Sequence, residues 1–505
     1  MMPTVTPAVD FRRPLLLLSL LLVLVGGVSC SNGEVEPHTK LLVIGVDGME
    51  WSVMLPLLQK NELPNIQKLM DRGTYGQLRT FNPTLSPIIW TSIATGKTKE
   101  QHGILGFDKV DPDTRRQTLF TSLDRKVKAV WDILSERERQ VDVFGWWITW
   151  PAERLDGHMV SQFSGLGQKD KVWKGTVTEN GPAQTYPRSY EGEILPIVRD
   201  VNAEFETPEE GTFPARVREL FGQLKPEMTE LEQRLLDDSI WSFKADETYA
   251  RITERALESS KADLTMCYFG GTDVVGHRFW RYHEPQRFQY KPSAEAMKAF
   301  SKIIPDYYRY IDSVIGRLLA KCDDDTAVMI VADHGMVAVN TTLDLEAEYA
   351  KDKGLAGINS GHHPDAEPGV IIAAGAPFRN KVSPKNLRPS DLESLGSVYQ
   401  VTPTILHLMG LPVGEDMKQA VMETALQTSF MEDHPTQFIP TWDDDPDWFA
   451  RRSARAFEGV DEEKMDQLRR LGYIGANGQT LPIIAKPDKS ADEKKEGDKK
   501  KKKGK

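Results

Sequence analysis

The sequence predicts an α/β sandwich, with a mostly parallel central sheet, helices on both faces and an inserted cap region. Three observations carry this. Lys40-Leu41-Leu42-Val43-Ile44-Gly45-Val46-Asp47-Gly48 is an apolar run ending in an acid and a glycine. A strand buried on both faces reads this way, with function at its C-terminal end. Asp263 to Gly271, ahead of Thr272-Asp273, and Ala327 to Ala332, ahead of Asp333-His334-Gly335, repeat the form. Amphipathic helical patterns fall between these runs, at Leu63 to Asp71, Val127 to Glu136 and Tyr307 to Lys321. Strands alternating with helices argue for helices packed on a parallel sheet.

At the N-terminus, Arg12 and Arg13 precede a run from Leu15 to Val25 that is apolar except for Ser19, and Gly26-Gly27-Val28-Ser29 follow. A basic flank, a short apolar run and small residues make residues 1–30 an export signal. The run falls short of the ~20 apolar residues of a membrane span. Ending at Ser29-Cys30-Ser31-Asn32, it resembles a bacterial lipoprotein signal, in which the cysteine is acylated; Gly27 stands where that pattern usually has leucine. The expected location is the periplasm or cell envelope, with a lipid anchor to the membrane through Cys30. Residues 39–435 follow as the main domain, to which Val141–Phe144 and Val370–Ala374 add short strands. Residues 168–245, rich in Glu, Pro and polar side chains, read as an insertion beside the sheet. Residues 436–480 read as a helical extension, and 481–505 as a lysine-rich disordered tail.

Charge and cysteine content exclude two classes. The 505 residues carry a net charge of −11, and ten lysines against five acids between Lys486 and Lys505 leave the rest near −16. So acidic a body lacks the basic footprint of a nucleic-acid binder, and no nucleic-acid partner is expected. Three cysteines supply neither a disulfide scaffold nor a Cys-based zinc motif, and Cys267 and Cys322 lie in or beside apolar runs.

Chemistry-bearing residues collect at strand ends and helix starts. Asp47 ends the first run; Asp273 and His277 are four residues apart, on one face if helical; Asp333-His334 end the third run. Gly361-His362-His363-Pro364-Asp365 precede a strand, and Ser86 precedes Pro87 at the head of a short helical pattern closed by Gly96. Serine at the cap, proline at the first turn and glycine past the end mark a helix from its cap at Ser86. A phosphate oxygen is favoured at such a helix start, although a lone Ser-Pro can equally be a cap and nothing more. Each acid or histidine alone has a bland explanation as a turn, cap or loop residue. Together, three strand-end acids with His277, His334 and His363 are the supply that two zinc ions with mixed Asp/His ligands require.

Val43-Ile44-Gly45-Val46-Asp47-Gly48-Met49, Pro83-Thr84-Leu85-Ser86-Pro87-Ile88-Ile89-Trp90-Thr91-Ser92, Thr95-Gly96-Lys97 and His102-Gly103-Ile104 resemble the type I phosphodiesterase/nucleotide pyrophosphatase family of the alkaline phosphatase superfamily. Gly145-Trp146-Trp147-Ile148-Thr149-Trp150-Pro151-Ala152-Glu153, Phe269-Gly270-Gly271-Thr272-Asp273 to His277, Asp333-His334-Gly335-Met336, Ser360 to Asp365 and Thr402-Pro403-Thr404-Ile405-Leu406 continue the resemblance, from about Lys40 to Ala425. It implies an alkaline-phosphatase-like fold and a phosphoric ester hydrolase acting on a phosphate ester substrate with two zinc ions. One zinc is then held by Asp273, His277 and His363, for which the Gly-x-His spacing favours His363 over His362. The other is held by Asp47, Asp333 and His334 with the oxygen of the nucleophile Ser86. Ile89 and Phe107 stand where the nucleotide-cleaving enzymes carry asparagines, so a side-chain contact to phosphate is expected to be missing.

Two metals in such a site clamp the attacking and leaving oxygens, and a phosphoseryl intermediate passes to water. Lys97 and Arg278 are the basic residues nearest the motifs and are candidates for the phosphate; His102 reads as ordering the helix exit. Trp146, Trp147 and Trp280, with the insertion, are candidate specificity elements, and Trp147 and Trp150 fit the core as well. A sulfatase is disfavoured because Pro87 directly follows Ser86 and Trp90 stands where arginine belongs. Two alternatives stay open: a phosphotransferase acting on lipid or glycan head groups, and a non-catalytic binding lipoprotein.

Overall fold

In the computed structural model of the chain, the described residues are 39–456 apart from 111–116, 165–174, 178, 180, 207–219, 222–227, 353, 354, 356, 357 and 382–386. The sheet strands in chain order are β1 (Leu41–Val46), β2 (Gly73–Arg79), β3 (Val141–Phe144), β4 (Gly157–Val160), β5 (Thr185–Tyr186), β6 (Leu264–Phe269), β7 (Ala327–Val331), β8 (Gly369–Ala374) and β9 (Ser394–Ser397). They form one nine-stranded sheet in the order β9-β2-β8-β7-β1-β6-β3-β4-β5. β8 is antiparallel to both neighbours and β5 is antiparallel to β4; the remaining pairings are parallel.

The apolar runs form buried strands because both faces of the sheet are covered. Along β1, Leu42, Ile44 and Val46 enter one core, with residues of the Trp51–Gln59, Glu230–Ser259, Gly271–His283 and Ile303–Leu319 helices. Leu41 and Val43 enter the other, with residues of the Ser86–Thr95, Val130–Glu136 and Val401–Leu408 helices. Alternation of period two divides one strand between two cores. Gly45 faces Trp90, and a Cβ there would lie 2.8 Å from the indole.

This topology gathers the functional segments at one edge. β7, β1 and β6 are parallel neighbours, so the residues after their C-terminal ends stand side by side. The antiparallel β8 starts at the same edge and brings the segment before it, with His362 and His363, to that end. β2 ends there too and leads into the Ser86–Thr95 helix.

Two boundaries differ from the sequence expectation. The helix begins at Ser86 with Leu85 as its cap, because the Leu85 carbonyl accepts from both Ile88 N (2.9 Å) and Ile89 N (3.1 Å). The insertion edge placed at 245 falls inside the continuous helix Glu230–Ser259, which packs on β6 and on the Gly271–His283 helix. The export signal with Cys30, the lysine-rich tail and the extension beyond residue 456 lie outside the described residues. Among the described residues no helix is long and apolar enough to cross a membrane.

Candidate active site

The three strand-end acids meet three histidines. His334 Nε2 lies 3.4 Å from Asp47 Oδ1 and 3.3 Å from Asp333 Oδ2. Asp273 Oδ1 lies 3.2 Å from His277 Nε2 and 3.8 Å from His363 Nε2. The two halves touch, since the His334 and His363 rings stack at 3.6 Å between centroids. The geometry supports groupings of Asp47, Asp333 and His334, of Asp273, His334 and His363, and of His277, His362 and His363. Both histidines of the pair 362–363 thus stand at the site.

Asp47, Asp333, His277 and His334 are oriented from behind. Asp47 Oδ2 accepts from Tyr268 OH at 2.6 Å and Trp90 Nε1 at 3.0 Å. Gly48 N donates to Asp333 Oδ1 at 3.2 Å, from a backbone at φ 64° where a Cβ would lie 3.1 Å from Asp273 Cα. His277 Nδ1 faces Gly361 O at 2.8 Å and His334 Nδ1 faces Gly335 O at 2.9 Å, which leaves each Nε2 turned toward the carboxylates. Glu50 Oε2 accepts from Met336 N at 3.2 Å and ties the β1 loop to the β7 loop.

Four buried atoms at the centre, Asp47 Oδ1, Asp273 Oδ1, Asp333 Oδ2 and His334 Nε2, have no hydrogen-bond partner. Buried polar atoms are normally paired, so this donor set fits bound cations. The electrostatics agree. Burial and the neighbouring charge of Asp273 raise the Asp47 carboxyl, and burial and Asp47 raise that of Asp333 well above the carboxylate range. Burial also pushes Asp273 up, but His277 above all, with His334 and His363, outweighs it and holds that carboxyl low. Burial and His334 lower the His363 imidazole. Carboxylates crowded in this way call for positive charge.

The residues flanking Ser86 reach both halves. Thr84 Oγ1 donates to His363 O at 2.5 Å, and Trp90, one turn beyond Ser86 on the same helix face, donates to Asp47. The neighbouring hydroxyls are committed, Thr84 to that carbonyl and Thr91 Oγ1 to Pro87 O at 2.6 Å. Of the candidates for phosphate contact, Lys97 is placed elsewhere, with Nζ 2.5 Å from both Asp416 and Asp443. Arg278 stands beside the cluster: it donates to Asn359, whose Nδ2 lies 3.5 Å from His277 Nδ1, and the charge of Asp273 acts on it. His102 is buried against Ser92 Oγ at 3.1 Å and accepts from Ile104 N, so it orders the helix exit. Trp146, Trp150 and Trp280 are core residues. Trp147 is half-buried and packs edge-on against Phe107 at 5.7 Å and Tyr268 at 6.2 Å, beside Asp47. Sequence reasoning missed Tyr268, internal to a run read only as a strand, and Asp246, which lies just past the 168–245 insertion in a stretch given no role.

The sheet and the acid–histidine cluster at its edge define an α/β fold with a candidate metal site. The model of the type I phosphodiesterase/nucleotide pyrophosphatase family matches residues 41–405, and the chain belongs to that family. A 2,3-bisphosphoglycerate-independent phosphoglycerate mutase of Colwellia psychrerythraea is 23% identical over 216 residues, 41% of this chain and 33% of the mutase. The chain spans about a third of the length of the curated relatives it matches. The alkaline phosphatase PafA is similar in fold, with a TM-score of 0.50 and 13% identity over 77% of this chain and 99% of that one. The murine ectonucleotide pyrophosphatase/phosphodiesterase 5 aligns at a TM-score of 0.39 and 13% identity, over 78% and 99% of the two chains.

Proposed function

We propose that the chain hydrolyses phosphoric esters, phosphodiesters foremost, through a phosphoseryl intermediate on Ser86 with two zinc ions in the acid–histidine cluster. The observation that carries this reading is the set of buried, unpartnered atoms Asp47 Oδ1, Asp273 Oδ1, Asp333 Oδ2 and His334 Nε2 at the sheet edge. Asp273, His277 and His363 would hold one ion, and Asp47, Asp333 and His334 with Ser86 Oγ the other. Bound there, the ions supply Lewis acidity and lower the pKa of a coordinated hydroxyl.

The chain's own residues do the rest. Tyr268 and Trp90 hold Asp47 by Oδ2 and leave Oδ1 free to face the centre. Ser86 Oγ forms a bond to phosphorus while the bond to the leaving oxygen breaks, and water later cleaves the serine phosphate. The start of the ten-residue Ser86–Thr95 helix offers its positive end to the phosphate. The Phe107–Trp147 pair walls the site with apolar surface, and Lys97 is engaged elsewhere, with Asp416 and Asp443. That environment supports a diester with one negative charge over a doubly charged monoester.

Ser86→Ala is the direct test. The variant is expected to keep its zinc and lose turnover of bis-p-nitrophenyl phosphate by about 10³-fold or more. Full turnover in a folded, zinc-loaded variant would remove Ser86 from the mechanism. A transferase reading draws support from the mutase names of the curated relatives. In that case the serine phosphate passes to an acceptor hydroxyl, and product analysis with added alcohols separates the two.

A further inference from the structure

We propose that Asp246, which stands outside the ligand set, is a positioning residue that fixes where Asp273 and His277 stand and so tunes metal affinity at that half of the site. The inference rests on the two-metal reading above. Asp246 lies on the Glu230–Ser259 helix and is 2% exposed. Its Oδ1 accepts from Gly270 N at 2.9 Å, and its Oδ2 accepts from Gly271 N at 3.0 Å and from Tyr307 OH at 2.8 Å. One carboxylate thus grips two successive backbone N–H groups. These belong to the start of the Gly271–His283 helix, whose first turn carries Asp273 and whose second carries His277.

A two-point grip on a helix start fixes its rotation as well as its position. The seat allows little slack. A Cβ on Gly271 would lie 1.7 Å from Tyr307 Oη, so the backbone sits directly against the hydroxyl that Asp246 also holds. On the opposite side, Thr272 Oγ1 donates to the Asp47 carbonyl, and the Gly48 backbone crowds Asp273. The helix start is therefore clamped between Asp246 and Tyr307 behind and the β1 loop in front. A shift of the grip moves Asp273 Oδ1 relative to His277, His363 and the Asp47 half. Asparagine has the shape of aspartate but presents an NH₂ donor where one N–H now finds an acceptor, so Asp246→Asn loosens the grip with little change of volume.

The experiment measures zinc binding to the full chain by chelator competition, together with melting temperature and the KM and kcat for bis-p-nitrophenyl phosphate. Asp246→Asn is expected to weaken one zinc about 10- to 100-fold and leave the other within about twofold. Turnover should recover at excess zinc. Tyr307→Phe removes one of the three donors and leaves both N–H bonds, so it is expected to weaken the same zinc by a smaller factor; it also decides the matter if the asparagine variant does not fold. Zinc affinities equal to wild type in either folded variant, whatever the melting temperature, would overturn the positioning role alone. A wild-type chain that takes up no zinc would refute the two-metal reading and this proposal with it.

Discussion

At the scale of single residues, the buried charges separate what holds the molecule together from what acts. The Lys97 side chain is 3% exposed and lies between Asp416 and Asp443, whose side chains are 33% and 21% exposed. It follows Gly96, the left-handed residue that ends the Ser86–Thr95 helix, so the pair of ion contacts ties the far end of that helix to the segment around 416–443. Breaking a fully buried pair costs about 3–5 kcal/mol because a charge is left unpaired. Both acids here reach solvent, which screens part of that loss, so Lys97→Met is expected to cost about 2 kcal/mol. The urea midpoint should fall with an unchanged m-value, and KM should stay close to wild type. A raised KM at unchanged stability would instead return Lys97 to the substrate, where sequence proximity alone had suggested it.

Among elements, legibility followed how a strand or helix hides its polar groups. β1, β6 and β7 were readable because strands buried on both faces are continuous apolar runs, and the acids at their ends were readable with them. The helix Glu230–Ser259 was not. Glu232, Asp238, Asp246 and Glu247 are buried in it, with Glu247 held by Arg251, Arg317 and Tyr310, and paired polar residues at core positions erase the apolar period. Asp246 escaped for the same reason: its partners are backbone N–H groups that no motif names. The β3–β4 pair holds a testable example of such pairing. Asp142 and His158 are register partners, and the buried Asp142 Oδ1 accepts from His158 N and faces His158 Nδ1, each at 2.9 Å. The bond to Asp142 raises the His158 pKa above its ordinary value. A raised folded pKa means that the stabilisation is fully present below the unfolded value of about 6.5 and is lost as pH rises through the folded one. His158→Gln should therefore lower the urea midpoint more at pH 6 than at pH 9, and an equal deficit at both would assign the effect to packing.

Across the whole molecule, the proposed cation site costs stability when it is empty. Asp47 and Asp333 follow two strands and Asp273 lies in the first turn of the helix after a third; far apart in sequence, they meet with buried oxygens that lack a hydrogen-bond partner. Burial and Asp47 disfavour the ionised form of Asp333, so the metal-free molecule carries strain that a neutral side chain would relieve. Ligands that bind only the folded state stabilise it by about 4 kcal/mol at a thousandfold excess over Kd. Zinc bound here would also link the three segments. Chelation is therefore expected to lower the melting temperature and zinc to restore it. Asp333→Asn separates the two contributions, because its amide oxygen can still accept from Gly48 N while the charge is gone. The metal-free variant should melt above metal-free wild type, and its gain from added zinc should shrink to a fraction of the wild-type gain. A variant less stable than wild type without metal, yet with the full zinc increment, would show that Asp333 serves the sheet edge and not the cation.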